Sequence, residues 1–225
     1  MDGILLVDKP EDWTSHDAVA KVRSILKQAT GQKVKVGHTG TLDPMATGLL
    51  ILVLGNYTKR AEEFSKLDKV YQAEITLGNN SSTGDREGEL TKVSDKQTEK
   101  AAVETVLRQF KGKILQKPHK YSAVKIDGQR AYKAARAGKT VEIEPRKVTI
   151  YEIADVEYDY PTLKLTAKVS SGTYIRSLAE DIGAALGTGA YLSALRRTQI
   201  NEFKVEKAIQ ISDLSLLNIQ KHLQK

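Results

Sequence analysis

Residues 48–55, Gly-Leu-Leu-Ile-Leu-Val-Leu-Gly, constrain this chain more than any other stretch. Six large apolar residues in a row between two glycines read as a strand at the centre of a sheet. No polar residue alternates with them, so both faces need cover. The run is far below the roughly 20 residues that a membrane span requires. The rest of the chain must therefore supply flanking strands and covering helices. Residues 3–7 (Gly-Ile-Leu-Leu-Val) read as a second buried strand. Beyond Thr14 and Ser15, good N-cap residues, Val19, Val22 and Leu26 recur at helical spacing, and this helix should stop before Gly31.

Further elements follow from local pattern. Residues 35–47 look like a loop, 58–67 a helix and 70–77 an alternating strand. Residues 79–88 (NNSSTGDREG) are a loop by composition. Residues 98–110 form an amphipathic helix with Val103, Val106, Leu107 and Phe110 on one face. Residues 121–126, Asp127-Gly128 and 130–137 read as strand, turn and helix. Strands are expected over 148–156 and 163–169, with a turn at 159–161 between them. Ser177 and Glu180 have capping-box spacing, which predicts a helix over 178–186 that Gly187 and Gly189 close. Residues 191–200 fit strand or helix, and a helical tail is expected over 205–223. Strands and helices mix without a regular βαβ rhythm. The expected class is α+β around one central mixed sheet.

Several chemistries find no support. The chain has no cysteine, and its four histidines (His16, His38, His119 and His222) lack zinc-motif spacing. No Walker A lysine, GxGxxG turn or nucleophile elbow is present. No metal and no cofactor are expected. Residues 1–10 hold one short apolar run broken by Asp8 and Lys9, which does not fit a signal peptide, so the cytoplasm is the expected compartment. The net charge is +7. Residues 117–147 carry nine Lys or Arg against three acids, or +6, and the remaining 26 basic and 25 acidic residues give +1. A near-neutral body with one basic arm favours a polyanion partner over a plain solvated surface.

The loop before the central strand is Gly37-His38-Thr39-Gly40-Thr41-Leu42-Asp43-Pro44-Met45-Ala46-Thr47-Gly48. Read blandly, Asp43-Pro44 is a turn. Read for function, it is a carboxylate held at a sheet edge, since Pro44 fixes its own φ and restricts Asp43. This segment closely resembles the catalytic motif of the TruB family of pseudouridine synthases. LLVDKPEDWTSHDAVAKVR resembles the family's N-terminal motif, and KVYQAEITLG its tyrosine-bearing strand. PHKYSAVKIDGQRAYKAARAG resembles its tRNA-gripping insert. SSGTYIRSLAEDIG resembles its arginine motif, and GAYLSALRRT its closing motif. The matches run in family order from Gly3 to Thr198.

The resemblance implies the pseudouridine-synthase fold: a central, mixed and mostly antiparallel sheet flanked by helices, with a basic RNA-binding insert. It implies isomerisation of the T-loop uridine at tRNA position 55 after base flipping, with Asp43 as nucleophile. Attack at ribose C1′ and at base C6 both fit. Arg176 matches the arginine that pairs with this aspartate, and Tyr71 the tyrosine that stacks on the flipped base. His38 and Lys9 are implied substrate contacts, Lys9 at a pocket wall or a phosphate, with Pro10 structural. Tyr121, Lys125, Arg130 and Arg136 in the basic segment are implied RNA contacts. The implied partner is the tRNA T arm, with no membrane, no obligate protein partner and a monomeric chain.

Residues 1–211 read as the catalytic domain and 212–225 as a short tail, too short for the PUA domain that many relatives carry. Reliance on the basic insert and weaker binding to whole tRNA are therefore expected. Asn201 stands where the family often has glycine, and Asn tolerates the left-handed region. Three rival readings are a related synthase for another uridine, a non-catalytic RNA-binding or RNA-remodelling protein, and an unrelated aspartate hydrolase.

Overall fold

The computed structural model describes residues 1–119 and 143–225, together with the backbone of 125–126 and 129–130. The chain divides into two compact units, residues 1–71 with 196–225, and residues 72–195.

The first unit is built on β1 (Gly3–Lys9) and β3 (Thr47–Leu54), which pair antiparallel along their length, from Gly3 opposite Leu54 to Lys9 opposite Gly48. Residues 48–54 are all buried, as the unbroken apolar run demands. The other edge of β3 takes β2 (Val36–His38) antiparallel and the end of β12 (Ala190–Ile200) parallel, Arg197 facing Gly48. Ile4, Leu6, Leu49, Ile51 and Val53 form one cluster with Ile200 and Val205, capped by Phe64 and Phe203. Each such side chain contributes roughly 2 kcal/mol through burial.

Helix α1 (Ser15–Thr30) starts where the capping residues predict. Thr14 and Asp17 form a reciprocal capping box, and Gly31 ends the helix in the left-handed region. A 3-10 segment (Gly55–Arg60) leads into α2 (Ala61–Ser65), where one longer helix was expected.

Residues 72–77 of β4 (Lys69–Leu77) lie in the second unit, where β10 (Arg146–Asp159), β11 (Thr162–Val169) and β7 (Gly112–Gln116) follow in the order β4-β11-β10-β7. β10 is antiparallel to both neighbours and slips register twice against β11; Asp155, at φ 51°, lies in the second slip. α3 (Lys100–Gln109) packs against α4 (Ile175–Leu186). β5 (Asn79–Ser81) and β6 (Leu90–Lys92) pair around the loop 82–89, and β8 (Lys125–Ile126) pairs with β9 (Gln129–Arg130). The sheet is mixed and mostly antiparallel, as expected. The helix expected over 130–137 lies outside the described residues.

Two expectations fail for identifiable reasons. α4 begins at Ile175, three residues before the predicted start, and Ser177 is no cap: its hydroxyl donates to the Lys117 carbonyl at 2.9 Å. The tail forms no α-helix among the described residues. It makes β13 (Phe203–Lys204), a 3-10 turn, β14 (Ile209–Gln210) and β15 (Leu223–Gln224), the last two pairing with β1. Ser, Asp and Asn side chains compete with helix here. Asn218 accepts from the Ser215 N–H at 2.8 Å and donates to the Asp213 carbonyl at 2.8 Å. Ile211, Leu214 and Ile219 are buried instead by tertiary packing.

Candidate active site

Asp43 opens a tight turn, with the Ala46 N–H on its carbonyl at 3.1 Å and Pro44 in the second position. Leu42, Met45 and Ala46 are buried and anchor the turn, while Asp43 is half-buried. The bland turn reading is therefore correct geometrically, and it is also what presents the carboxylate.

The turn is fixed from behind by its backbone. The Ser15 hydroxyl accepts the Leu42 N–H at 2.8 Å and donates to the Leu42 carbonyl at 3.1 Å, clamping the peptides beside Asp43. The Pro44 carbonyl takes the Asp12 N–H at 2.9 Å and the Lys9 ammonium at 3.3 Å. Lys9 also donates to Pro10 at 2.8 Å and to Trp13 at 2.5 Å. Lys9 is 0% exposed and braces the loop. Burial pushes its pKa down to about 8, and the charge of Asp43 opposes part of that shift.

Among the described residues, Arg197 is the largest fully buried side chain. Its guanidinium donates to the carbonyls of Leu49 at 2.8 Å and Gly40 at 3.1 Å, joining both ends of the loop to β12. Gly48, at φ +101°, lies so close that an added Cβ would collide with the Arg197 carbonyl oxygen. Strand alternation sends the preceding Arg196 the other way, to a bidentate pair with Asp8 at 2.7 and 3.0 Å. Lys69 is a second buried ammonium. Burial, then the charge of Arg197, lower its pKa to about 8. His38 ends β2 opposite Leu52 and enters the loop. Tyr71 is buried on the inward face of β4, with Lys69 and Ala73.

Arg176 belongs to the second unit. Its guanidinium donates to the Thr83 carbonyl at 3.1 Å and pairs with Asp85 at 3.1 Å. Asp85 is 2% exposed and also accepts from the Thr83 hydroxyl at 2.6 Å and the Glu87 N–H at 3.1 Å. Such a pair is strongly directional, because three donors converge on one buried carboxylate. Tyr121 and Arg136 lie outside the described residues, as do the side chains of Lys125 and Arg130.

The structure thus brings Asp43, Lys9 and His38 onto one loop and its supports, with Tyr71 in the same unit. Sequence reasoning missed Ser15, Asp85 and Arg197. For Ser15, its place beside a capping residue was a misleading signal. For Arg197 a signal existed: adjacent arginines in a strand must face opposite ways. Among the described residues, no group of three or more His, Cys, Asp or Glu is placed to hold a metal ion. None of the described helices is long and apolar enough to cross a membrane.

Residues 23–175 match the model of the TruB family pseudouridylate synthase N-terminal domain, and residues 176–225 match that of the tRNA pseudouridylate synthase B C-terminal domain. The fold is that of the pseudouridylate synthases. Within them, this chain belongs to the TruB family. A tRNA pseudouridine synthase B of Burkholderia lata is 45% identical over 215 residues, 96% of this chain and 65% of the relative. One of Thermobifida fusca is 45% identical over 223 residues, 95% of this chain and 74% of the relative. The chain therefore spans about two thirds of the length of such relatives. A solved Cbf5-Nop10-Gar1 complex is similar at TM-score 0.71 and 31% identity, over 94% of this chain and 53% of that one. An H/ACA ribonucleoprotein bound to a substrate RNA containing 2′-deoxyuridine is similar at TM-score 0.68 and 29% identity, over 94% and 52%.

Proposed function

We propose that this chain isomerises a tRNA uridine to pseudouridine, that the target is the T-loop uridine at tRNA position 55, and that Asp43 is the nucleophile. The observation that carries this reading is the Asp43 turn: a half-buried carboxylate on a backbone held by Ser15, Lys9 and Arg197. Membership of the TruB family supports it. The reaction breaks the ribose–uracil C–N bond, turns the base and rejoins it through carbon, with no net redox change. A carboxylate nucleophile divides this into two easier steps, by attack at C1′ or at C6. The base must first leave its stack, at a cost of a few kcal/mol.

Tyr71 stacks on the extruded base and His38 places the nucleotide. Arg176 supports the reaction, with its direction set by Asp85. The basic segment 117–147, with Tyr121, Lys125, Arg130 and Arg136, grips the T arm mainly by shape and charge. Residues 1–211 act as the catalytic part and 212–225 as a tail, in a cytoplasmic monomer that needs no obligate protein partner and no cofactor.

The test uses an unmodified tRNA transcript, no added cofactor, and chemical mapping of pseudouridine at nucleotide resolution. Modification of the T-loop uridine by wild type and not by Asp43→Asn is the expected result. Modification at another position overturns the substrate assignment. Binding of tRNA without any pseudouridine overturns the catalytic reading in favour of RNA binding or remodelling.

A further inference from the structure

We infer that Gln116 is a positioning residue, which sets the start of α4 and through it the direction of Arg176. This rests on the proposed role of Arg176 in pseudouridine formation. α1 is capped by its own flanking residues, Thr14 with Asp17, but α4 is not: its N-cap, Tyr174, makes no side-chain cap. Gln116, the last residue of β7, instead holds the N-cap residue itself. Its carboxamide donates to the Tyr174 carbonyl at 3.0 Å and accepts the Tyr174 N–H at 2.8 Å. With both its ends engaged on one residue, the carboxamide fixes that backbone in place and in orientation. Gln116 is 1% exposed, so water cannot substitute for it.

Arg176 follows two residues later, with its guanidinium on Asp85 and the Thr83 carbonyl. Two further links extend the lacing. The Ser177 hydroxyl donates to the Lys117 carbonyl at 2.9 Å, and His119 faces Glu180 at 3.6 Å. Residues 174, 177 and 180 recur every three, along one side of the helix start. The chain from 116 to 119 is therefore fastened along the helix that carries Arg176, and Lys117 is where the basic segment begins.

The experiment measures four quantities for Gln116→Ala and Gln116→Glu in the full chain. They are the single-turnover rate at saturating tRNA, the tRNA dissociation constant, thermal unfolding, and the rate in an Arg176→Lys background. Glu keeps the acceptor for the Tyr174 N–H and loses the donor. We expect the Ala rate to fall about 30-fold and the Glu rate by less, with tRNA affinity within about twofold of wild type. In the Arg176→Lys chain, Gln116→Ala should change the rate by less than about twofold, because both act through one group. A folded Gln116→Ala chain with wild-type rate overturns the inference. So does a loss that multiplies with that of Arg176→Lys, or a loss of affinity in step with the rate. If Gln116→Ala does not fold, Gln116→Glu decides by the same criteria. An inactive wild type refutes the proposed function, and this inference with it; an active wild type indifferent to Gln116 refutes the inference alone.

Discussion

The loops around Asp43 and Asp85 both contain glycines and a carboxylate, and the bonds that fix each loop differ. In the loop 82–89 the carboxylate is the cement. Asp85 is buried and accepts from a hydroxyl, a backbone N–H and a guanidinium. In the loop 37–48 the supports named above run to backbone instead. Ser15 clamps Leu42, Lys9 and Asp12 hold the Pro44 carbonyl, and Arg197 holds Gly40 and Leu49. Asp43 itself stays half-buried. A buried carboxylate that accepts from three donors orients its neighbours. The nucleophile role proposed for Asp43 asks for a carboxylate on a backbone held in this way.

The contrast can be broken by substitution. Asp43→Asn should lower the single-turnover rate by at least about 10³-fold. Its unfolding midpoint should stay close to that of wild type, because the turn's backbone bonds remain. A large loss of stability would make Asp43 cement as well. Asp85→Ala should cost about 3–5 kcal/mol in denaturant unfolding, since it strands the buried Arg176 guanidinium. A chain as stable as wild type would erase the distinction between the loops. Ser15→Ala should cost roughly 1–2 kcal/mol, by leaving the Leu42 peptide groups unpaired. It should lower the rate without a matching loss of tRNA affinity.

A pH-dependent effect is expected at Lys9. Its pKa is about 8 in the fold against 10.5 in an open chain. Between those values the unfolded chain holds more protons, so this group makes stability rise with pH. Below about pH 8 both states are protonated, and the cost of burying the charge is fully present. Denaturant unfolding at pH 7.5, 9 and 10.5 should show wild type gaining on Lys9→Met across that window. A constant difference would mean that the buried ammonium does not titrate there.

Legibility followed the range of the interactions. The buried strands, the capping box of α1 and the left-handed stop at Gly31 rest on neighbours within a few residues. The positive φ of Asn201, 48°, belongs to the same group. Asp43 was legible because its turn and its glycines are contiguous. Asp85 was not, because nothing in NNSSTGDREG says that a guanidinium 91 positions later will bury it. The expected cap at Ser177 and the helical tail failed similarly: local spacing favoured one structure and distant partners, Lys117 and β1, supplied another.

The sequence by itself determined a mixed sheet around residues 48–54, a basic segment with one excess of charge, and a carboxylate on a proline turn beside that strand. These depend on periodicity, net charge and backbone restriction, which are properties of short stretches. Only the tertiary structure decided which cations turn inward. Lys9, Lys69 and Arg197 look like surface charge in the sequence. In the fold, carbonyls accept hydrogen bonds from all three: Trp13 and Ser65, four residues away, for Lys9 and Lys69, and Leu49, 148 residues away, for Arg197. Burial lowers the pKa of the two lysines.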